Sequence, residues 1–188
     1  MDIGKTQLRA EILSRRALLS AGQQAAAGQA LVRAVRPLAT GRVAAYASIG
    51  TEPGTAALLT ALDDVLLPVL LPDGDLDWAA YDGELVPGHH GLLEPAGPRL
   101  GRDAVRDCAV MIVPALAVDR TGVRLGRGAG SYDRALARTT AYVVAALHAG
   151  ELVASLPVEP HDRPVHAAVL PDRGLVRLRT YDPGGIER

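Results

Sequence analysis

The residues best suited to chemistry fall within one stretch, Val110 to Arg138. There Arg124-Leu125-Gly126-Arg127-Gly128-Ala129-Gly130-Ser131-Tyr132-Asp133 sets two guanidinium groups and a carboxylate around three glycines at alternate positions. So little side-chain bulk lets backbone N–H groups come close to phosphate oxygens, and a helix starting at Ser131 adds its partial positive end. Arg124 and Arg127 bring full charges and forked donors to the same place. Asp133, at the second or third helical position, is favoured by the dipole and has the chemistry to hold a divalent cation. The same residues also fit a plainer purpose, a tight αβ connection capped by Ser131. The spacing G-x-G-x-G, with no acid about 20 residues later, is not the dinucleotide-binding fingerprint.

These groups need elements to hold them. Val110 to Val113 is short, apolar and β-branched, the pattern of a buried parallel strand, and Pro114 ends it. Asp119 to Gly122 is turn chemistry, the helix after the glycines runs from Ser131 to about Arg138, and Tyr142 to Leu147 is the next strand. Upstream, Ile3, Leu8, Ile12, Leu18 and Leu19 recur at helical spacing and predict a helix over residues 2–19. Lys5 and Arg9 lie one turn apart on it, placed either to straddle an anion or to share a solvated face with Glu11 and Arg15. A second helix starts at Ser20 or Ala21 and ends before Pro37, with Arg33 and Arg36 outside. Strands follow at Val43–Ile49, at Val65–Leu71, where Pro68 points to an edge or bulge, and at Leu76–Tyr81. A helix over Thr55–Asp63 separates the first two. Further strands fall at Val165–Leu170 and Leu175–Tyr181, before a tail over 183–188. Gly83 to Leu100 reads as an irregular exposed loop whose adjacent His89 and His90 lack metal-ligand spacing. Gly101 to Asp107 reads as a helical turn, and residues 156–162 as a proline-rich crossing. Strands alternating with helices predict an α/β fold, three-layer α/β/α with a mostly parallel central sheet, Rossmann-like.

Some side chains carry two readings. Glu52, in the turn after the first strand, is either a solvated turn residue or, at the carboxyl end of a sheet strand, an acceptor for an amino-pyrimidine edge. His148 follows a strand and fits a structural or a functional role. Among the 20 basic residues, 19 are arginine and Lys5 alone is lysine, either by chance near the chain terminus or as a compact charge suited to one phosphate oxygen.

Length and composition bound the rest. A chain of 188 residues, 48% of them hydrophobic, fits one domain with a sizeable core. A net charge of −1 gives no basic excess for nucleic acid or a membrane surface. The single cysteine, Cys108, rules out a disulfide framework within one chain and reads as a small core residue. No segment approaches the length of a membrane span, so a cytoplasmic location is expected.

Leu125 to Arg134, preceded by Asp119 and Gly122, resembles the signature of the 5-formyltetrahydrofolate cyclo-ligase family, also called methenyltetrahydrofolate synthetases. The likeness extends along nearly the whole chain, through Lys5 with Leu8-Arg9, Tyr46 to Glu52, Gly91 with Glu94-Pro95, and His161-Asp162. It implies an enzyme that uses ATP and Mg²⁺ to convert 5-formyltetrahydrofolate into 5,10-methenyltetrahydrofolate through a phosphorylated formyl group. By that resemblance Lys5, Arg9 and residues Leu125 to Asp133 bind ATP, and Arg124 and Arg127 are the catalytic cations. Asp133 holds Mg²⁺, and Glu52 binds the pterin. Tyr132 and Trp78 supply apolar walls, although core packing suits Trp78 equally well. The partner is then a small reduced folate, and the protein a monomer or weak dimer. The chain departs from the family pattern at Ala129, at Ser131, where a tyrosine is usual, and at His166 and Pro171. Ser131 motivates a second reading, a same-fold enzyme with another acyl acceptor. A non-catalytic nucleotide or folate binder is the third.

Overall fold

The computed structural model describes residues 4–179; Ile3, Tyr181 and the tail over 183–188 lie outside them. Along the chain run α1 (Lys5–Arg16), α2 (Ala21–Val35), β1 (Val43–Ala44), α3 (Ala56–Ala61), β2 (Val65–Leu70) and β3 (Leu76–Ala80). Then come β4 (Leu85–Pro87), β5 (Leu93–Pro95), β6 (Val110–Pro114), β7 (Ala117–Asp119) and β8 (Arg124–Leu125). The last elements are α4 (Ser131–Leu136), β9 (Tyr142–Ala146), β10 (Leu152–Val153), β11 (Ala167–Leu170) and β12 (Gly174–Arg177).

The main sheet has seven strands in the order β12-β11-β9-β6-β1-β2-β3. Its five inner strands are parallel, and the two edge strands pair antiparallel. Side chains alternate strictly between two apolar clusters. Val110 and Ile112 join one and Met111 and Val113 the other, as do Val144 against Val143 and Ala145 in β9. Both faces are therefore covered, which is why these strands read as unbroken apolar runs. Leu31 of α2 and Leu58 of α3 close one face, while Ala135 of α4 and Val105 close the other, giving the expected three layers. A third cluster, Ile12 with Leu116, Val123, Leu125 and Leu156, packs α1 against a small sheet in the order β10-β7-β8.

Local chemistry sets the helix ends. Ser20 caps α2 in a capping box: its hydroxyl accepts from the Gln23 N–H, and the Gln23 side chain accepts from the Ser20 N–H. The opening helix is shorter than its periodicity predicts, because Leu18 turns out to solvent with 85% of its surface exposed. Gly28 lets α2 close on the turn after β1, since a Cβ there would stand 2.9 Å from the Gly54 carbonyl oxygen.

Other elements differ from expectation. The β1 ladder covers two residues, and beyond Ala45 the segment leaves the sheet to form the wall of a cavity. Strand β2 is not an edge, but β1 pairs only its first two residues, so Pro68 lies where no inner neighbour requires its missing N–H. Gly83 to Leu100 is not wholly irregular: β4 and β5 form a hairpin, and Glu94 inside it is buried, accepting from the Leu70 N–H. Among the described residues, no helix is long and apolar enough to cross a membrane.

Candidate active site

In the main sheet the connection from β1 to β2 steps one way, while β6, β9 and β11 lie on the other side of β1. The carboxyl ends of β1 and β6 therefore diverge, the place where open α/β sheets bind ligands. A cavity of about 850 Å³ opens there. Its walls include α1, the end of β1, the glycine turn after β8, α4, the β4–β5 hairpin and the loop over 159–163.

The glycine turn is built from below. Asp119 is buried, and its carboxylate accepts from the N–H groups of Thr121, Val123 and Leu156 and from the Thr121 hydroxyl, pinning the β7–β8 hairpin. Arg124 leaves that hairpin with 5% of its side chain exposed. It donates to the Pro114 carbonyl at 3.2 Å and to Asp133 Oδ2 at 3.1 Å, and it lies 5.8 Å from the Tyr132 ring centroid. Its Nε–H is buried without a partner. A Cβ at Gly126 would meet Arg124 Nη1 at 2.7 Å. Gly128 has φ +106°, and a Cβ there would lie 3.4 Å from the Arg9 guanidinium carbon. The turn is thus a cradle that side chains would fill.

Helix α1 supplies cations to this cradle. Arg9 Nε donates to the Gly126 carbonyl at 2.9 Å, and Lys5 lines the same cavity. Neither lies on a solvated face. Lys5 Nζ is held at 2.8 Å by Glu159 and at 2.7 Å by Asp162. Burial opposes its charge, but the bonds to Asp162 and Glu159 outweigh it and raise the ammonium pKa.

Asp133 lines the cavity with 16% of its side chain exposed, pairing with Arg124 through Oδ2 and accepting from the Arg163 N–H through Oδ1. Each oxygen keeps acceptor capacity, and a mostly hydrated Mg²⁺ needs only one or two carboxylates besides phosphate oxygens, so Asp133 fits as one ligand. Glu159, His161 and Asp162 are the one group of three ligating side chains within 4.8 Å among the described residues, and Lys5 already neutralises its carboxylates.

On the opposite wall Glu52 has 8% of its side chain exposed. It accepts from the Ile49 N–H at 3.0 Å and from Arg127 Nε at 3.3 Å, so it is no free turn residue. Tyr132 lines the cavity between the walls, and burial raises its phenol pKa. Leu125, Ala129, Gly130 and Ser131 also border the cavity.

Two expectations need correction. Trp78 is no cavity wall: it is fully buried in the sheet core, opposite Pro68, with its Nε1–H unpartnered. Ser131 does not cap the helix. Gly130, with φ +69°, takes the cap position, and the Ser131 hydroxyl donates to the Gly74 carbonyl in the β2–β3 turn.

Sequence reasoning missed Arg16 and Glu151. Arg16 is buried on the cavity floor, paired twice with Glu151 at 2.7 Å and donating to the Ala115 carbonyl at 2.6 Å. The signal was the stripe Lys5, Arg9, Ile12, Arg16, in which three cations share the inward face of α1. Lys5's partners, more than 150 residues away, left no local signal.

The family model described as the 5-formyltetrahydrofolate cyclo-ligase family matches residues 2–171. A 5-formyltetrahydrofolate cyclo-ligase of Mycolicibacterium smegmatis is 42% identical over 189 aligned positions, covering 93% of this chain and 97% of that protein. One from Escherichia coli is 35% identical, covering 85% of this chain and 95% of that protein. The solved 5,10-methenyltetrahydrofolate synthetase of Aquifex aeolicus superposes with a TM-score of 0.78 at 26% identity, covering 98% and 96% of the two chains. With a match of that extent, and relatives aligned along most of their own length, the chain belongs to the 5-formyltetrahydrofolate cyclo-ligase family and is an enzyme of it.

Proposed function

We propose that this enzyme converts 5-formyltetrahydrofolate into 5,10-methenyltetrahydrofolate at the expense of ATP, with the triphosphate in the glycine cradle and the pterin against Glu52. The observation that carries the reading is the meeting of Arg9, Arg124 and the bare turn Gly126–Gly130, where a buried guanidinium N–H has no acceptor. A phosphate oxygen is the acceptor that such a place suits, because it satisfies the desolvated donor and accepts backbone N–H groups together. Relatives named for this reaction support the substrate.

The chemistry asks for alignment and charge more than for a nucleophile. A formamide oxygen leaves poorly, so it first takes the γ-phosphoryl group of ATP, releasing ADP. N-10 then attacks the activated formyl carbon, N-10 loses its proton, and phosphate departs with the former formyl oxygen. Negative charge grows on the transferring oxygens, and Arg124 and Arg127 are the side chains to meet it. Lys5 and Arg9 hold the nucleotide from α1. Mg²⁺, bound through Asp133, supplies charge neutralisation of the phosphates. Glu52 accepts from the amino-pyrimidine edge, which requires Arg127 to leave Glu52 and turn toward the phosphates. Tyr132 closes the space between the two substrates.

The test is to mix the purified protein with 5-formyltetrahydrofolate, Mg²⁺ and ATP and follow the methenyl chromophore. An ATP-dependent rise supports the reading. ATP hydrolysis only with another acceptor, or ligand binding without turnover, overturns it in favour of an altered acyl substrate or a binding protein.

A further inference from the structure

His148 has no part in the mechanism above, yet it is among the most buried ionisable residues, with 2% of its surface exposed. It follows β9 at the carboxyl end of the sheet. Its ring Nε2 lies 2.9 Å from the Thr51 carbonyl oxygen, and its Nδ1 is buried with no partner. A carbonyl only accepts, so Nε2 carries the hydrogen and Nδ1 the lone pair. Burial lowers the imidazole pKa, which keeps this neutral tautomer. Arg16 from α1 and Glu151 from the same loop act on the ring. On the β1 side Tyr46 is within electrostatic reach of Glu52, Arg16 and Glu151, and Glu52 follows Thr51 in the chain.

The loop behind the ring is fixed. Glu151 Oε2 accepts from the His148 backbone N–H at 2.8 Å, both Glu151 oxygens are clamped by Arg16, and the Glu151 N–H donates back to the His148 carbonyl. A rigid donor therefore presses on Thr51, and the next residue is Glu52. The turn carrying Glu52 closes on itself, through the Glu52 N–H to the Ile49 carbonyl and the Ile49 N–H to the Glu52 carboxylate. Nothing else described bonds the Thr51 carbonyl to the rest of the molecule.

We propose that His148 is a positioning residue which, as the Nε2–H tautomer, holds the Thr51 carbonyl and thereby aims the Glu52 carboxylate into the folate half of the cavity. The inference rests on the folate reading of Glu52. In chain terms, Arg16, Glu151, His148 and Thr51 connect the floor under the nucleotide to the wall that recognises the second substrate.

The experiment compares His148→Phe, which keeps the volume and removes the donor, with His148→Gln, whose amide nitrogen reaches the Nε2 position. His148→Phe is expected to raise the KM for 5-formyltetrahydrofolate roughly tenfold, the change that losing one buried hydrogen bond brings, with kcat and the ATP KM little changed. His148→Gln is expected to restore the wild-type folate KM. In the ligand-free protein, amide exchange at Ile49 and Glu52 should quicken in His148→Phe and recover in His148→Gln. The proposal is overturned if folded His148→Phe keeps the wild-type exchange at those two amides, or if His148→Gln behaves like His148→Phe. Where His148→Phe does not fold, His148→Asn, whose amide stops at the Nδ1 position, takes its place. If wild-type enzyme forms no methenyl product, the folate reading fails, and the exchange comparison alone decides the role of His148.

Discussion

At Arg124 a single guanidinium ties the end of β6 to α4, through Pro114 on one side and Asp133 on the other, and its buried Nε–H has no partner. Lysine at that position keeps the charge but not the fork. Arg124→Lys should lower turnover by about two orders of magnitude, the scale of losing one fixed donor to developing charge, while the protein stays folded by circular dichroism. Asp133→Asn should leave Arg124 its acceptor oxygen and remove the carboxylate charge. Activity should then fall to background at all Mg²⁺ concentrations, as a titration of rate against metal would show. Glu52→Gln tests the proposed contact with the other substrate. Its folate KM should rise roughly 10- to 100-fold, as expected for losing charge-assisted bonds, with the ATP KM near the wild-type value. The cradle residues were readable because alternate glycines between two arginines form a local pattern. The neighbours that set their geometry were not. Glu159 and Asp162 meet Lys5 only after the whole sheet is assembled, and Trp78 could be sorted from wall to core only once β2 and β3 were paired.

The elements place a rigid turn where α1 can reach it. Gly128→Ala tests that turn, because φ +106° strains any L side chain and the new methyl meets the Arg9 guanidinium. The expected outcome is a loss of about 1–3 kcal/mol in chemical denaturation together with a higher ATP KM in steady-state kinetics. Most major elements were legible: buried parallel strands show as continuous apolar runs, and α2 lies between the start read at Ser20 or Ala21 and the stop read before Pro37. The small sheet was not, since β8 and β10 have two residues each and β7 three, too few to display a period. That sheet nonetheless decides where Arg124 starts. The β4–β5 hairpin was likewise hidden among glycines and prolines, with buried Glu94 as its hinge to β2.

Across the whole molecule, acid should act in two stages. Burial lowers the pKa of both His148 and His166 below 6.5, and His166 Nδ1 accepts from the Val143 N–H. Unfolding lets both rings take up protons, so the unfolded chain binds more of them and stability falls as pH drops through and below the ordinary histidine range. Asp75 acts lower. Its bonds to Arg138, assisted by Arg102, bring its carboxyl from 3.8 to about 2, so its contribution is present above 3.8 and lost as pH falls toward 2. Melting temperature against pH should show both descents, and Asp75→Asn should flatten the lower one. The solitary lysine has a consequence for the bench. With every other side-chain cation an arginine, an amine-directed acylating reagent meets one ε-amino group in the protein, and two carboxylates grip it at the cavity wall. A mass-spectrometric footprint at Lys5 thereby becomes a built-in occupancy gauge, expected to fade as ATP saturates the enzyme and to persist with folate alone.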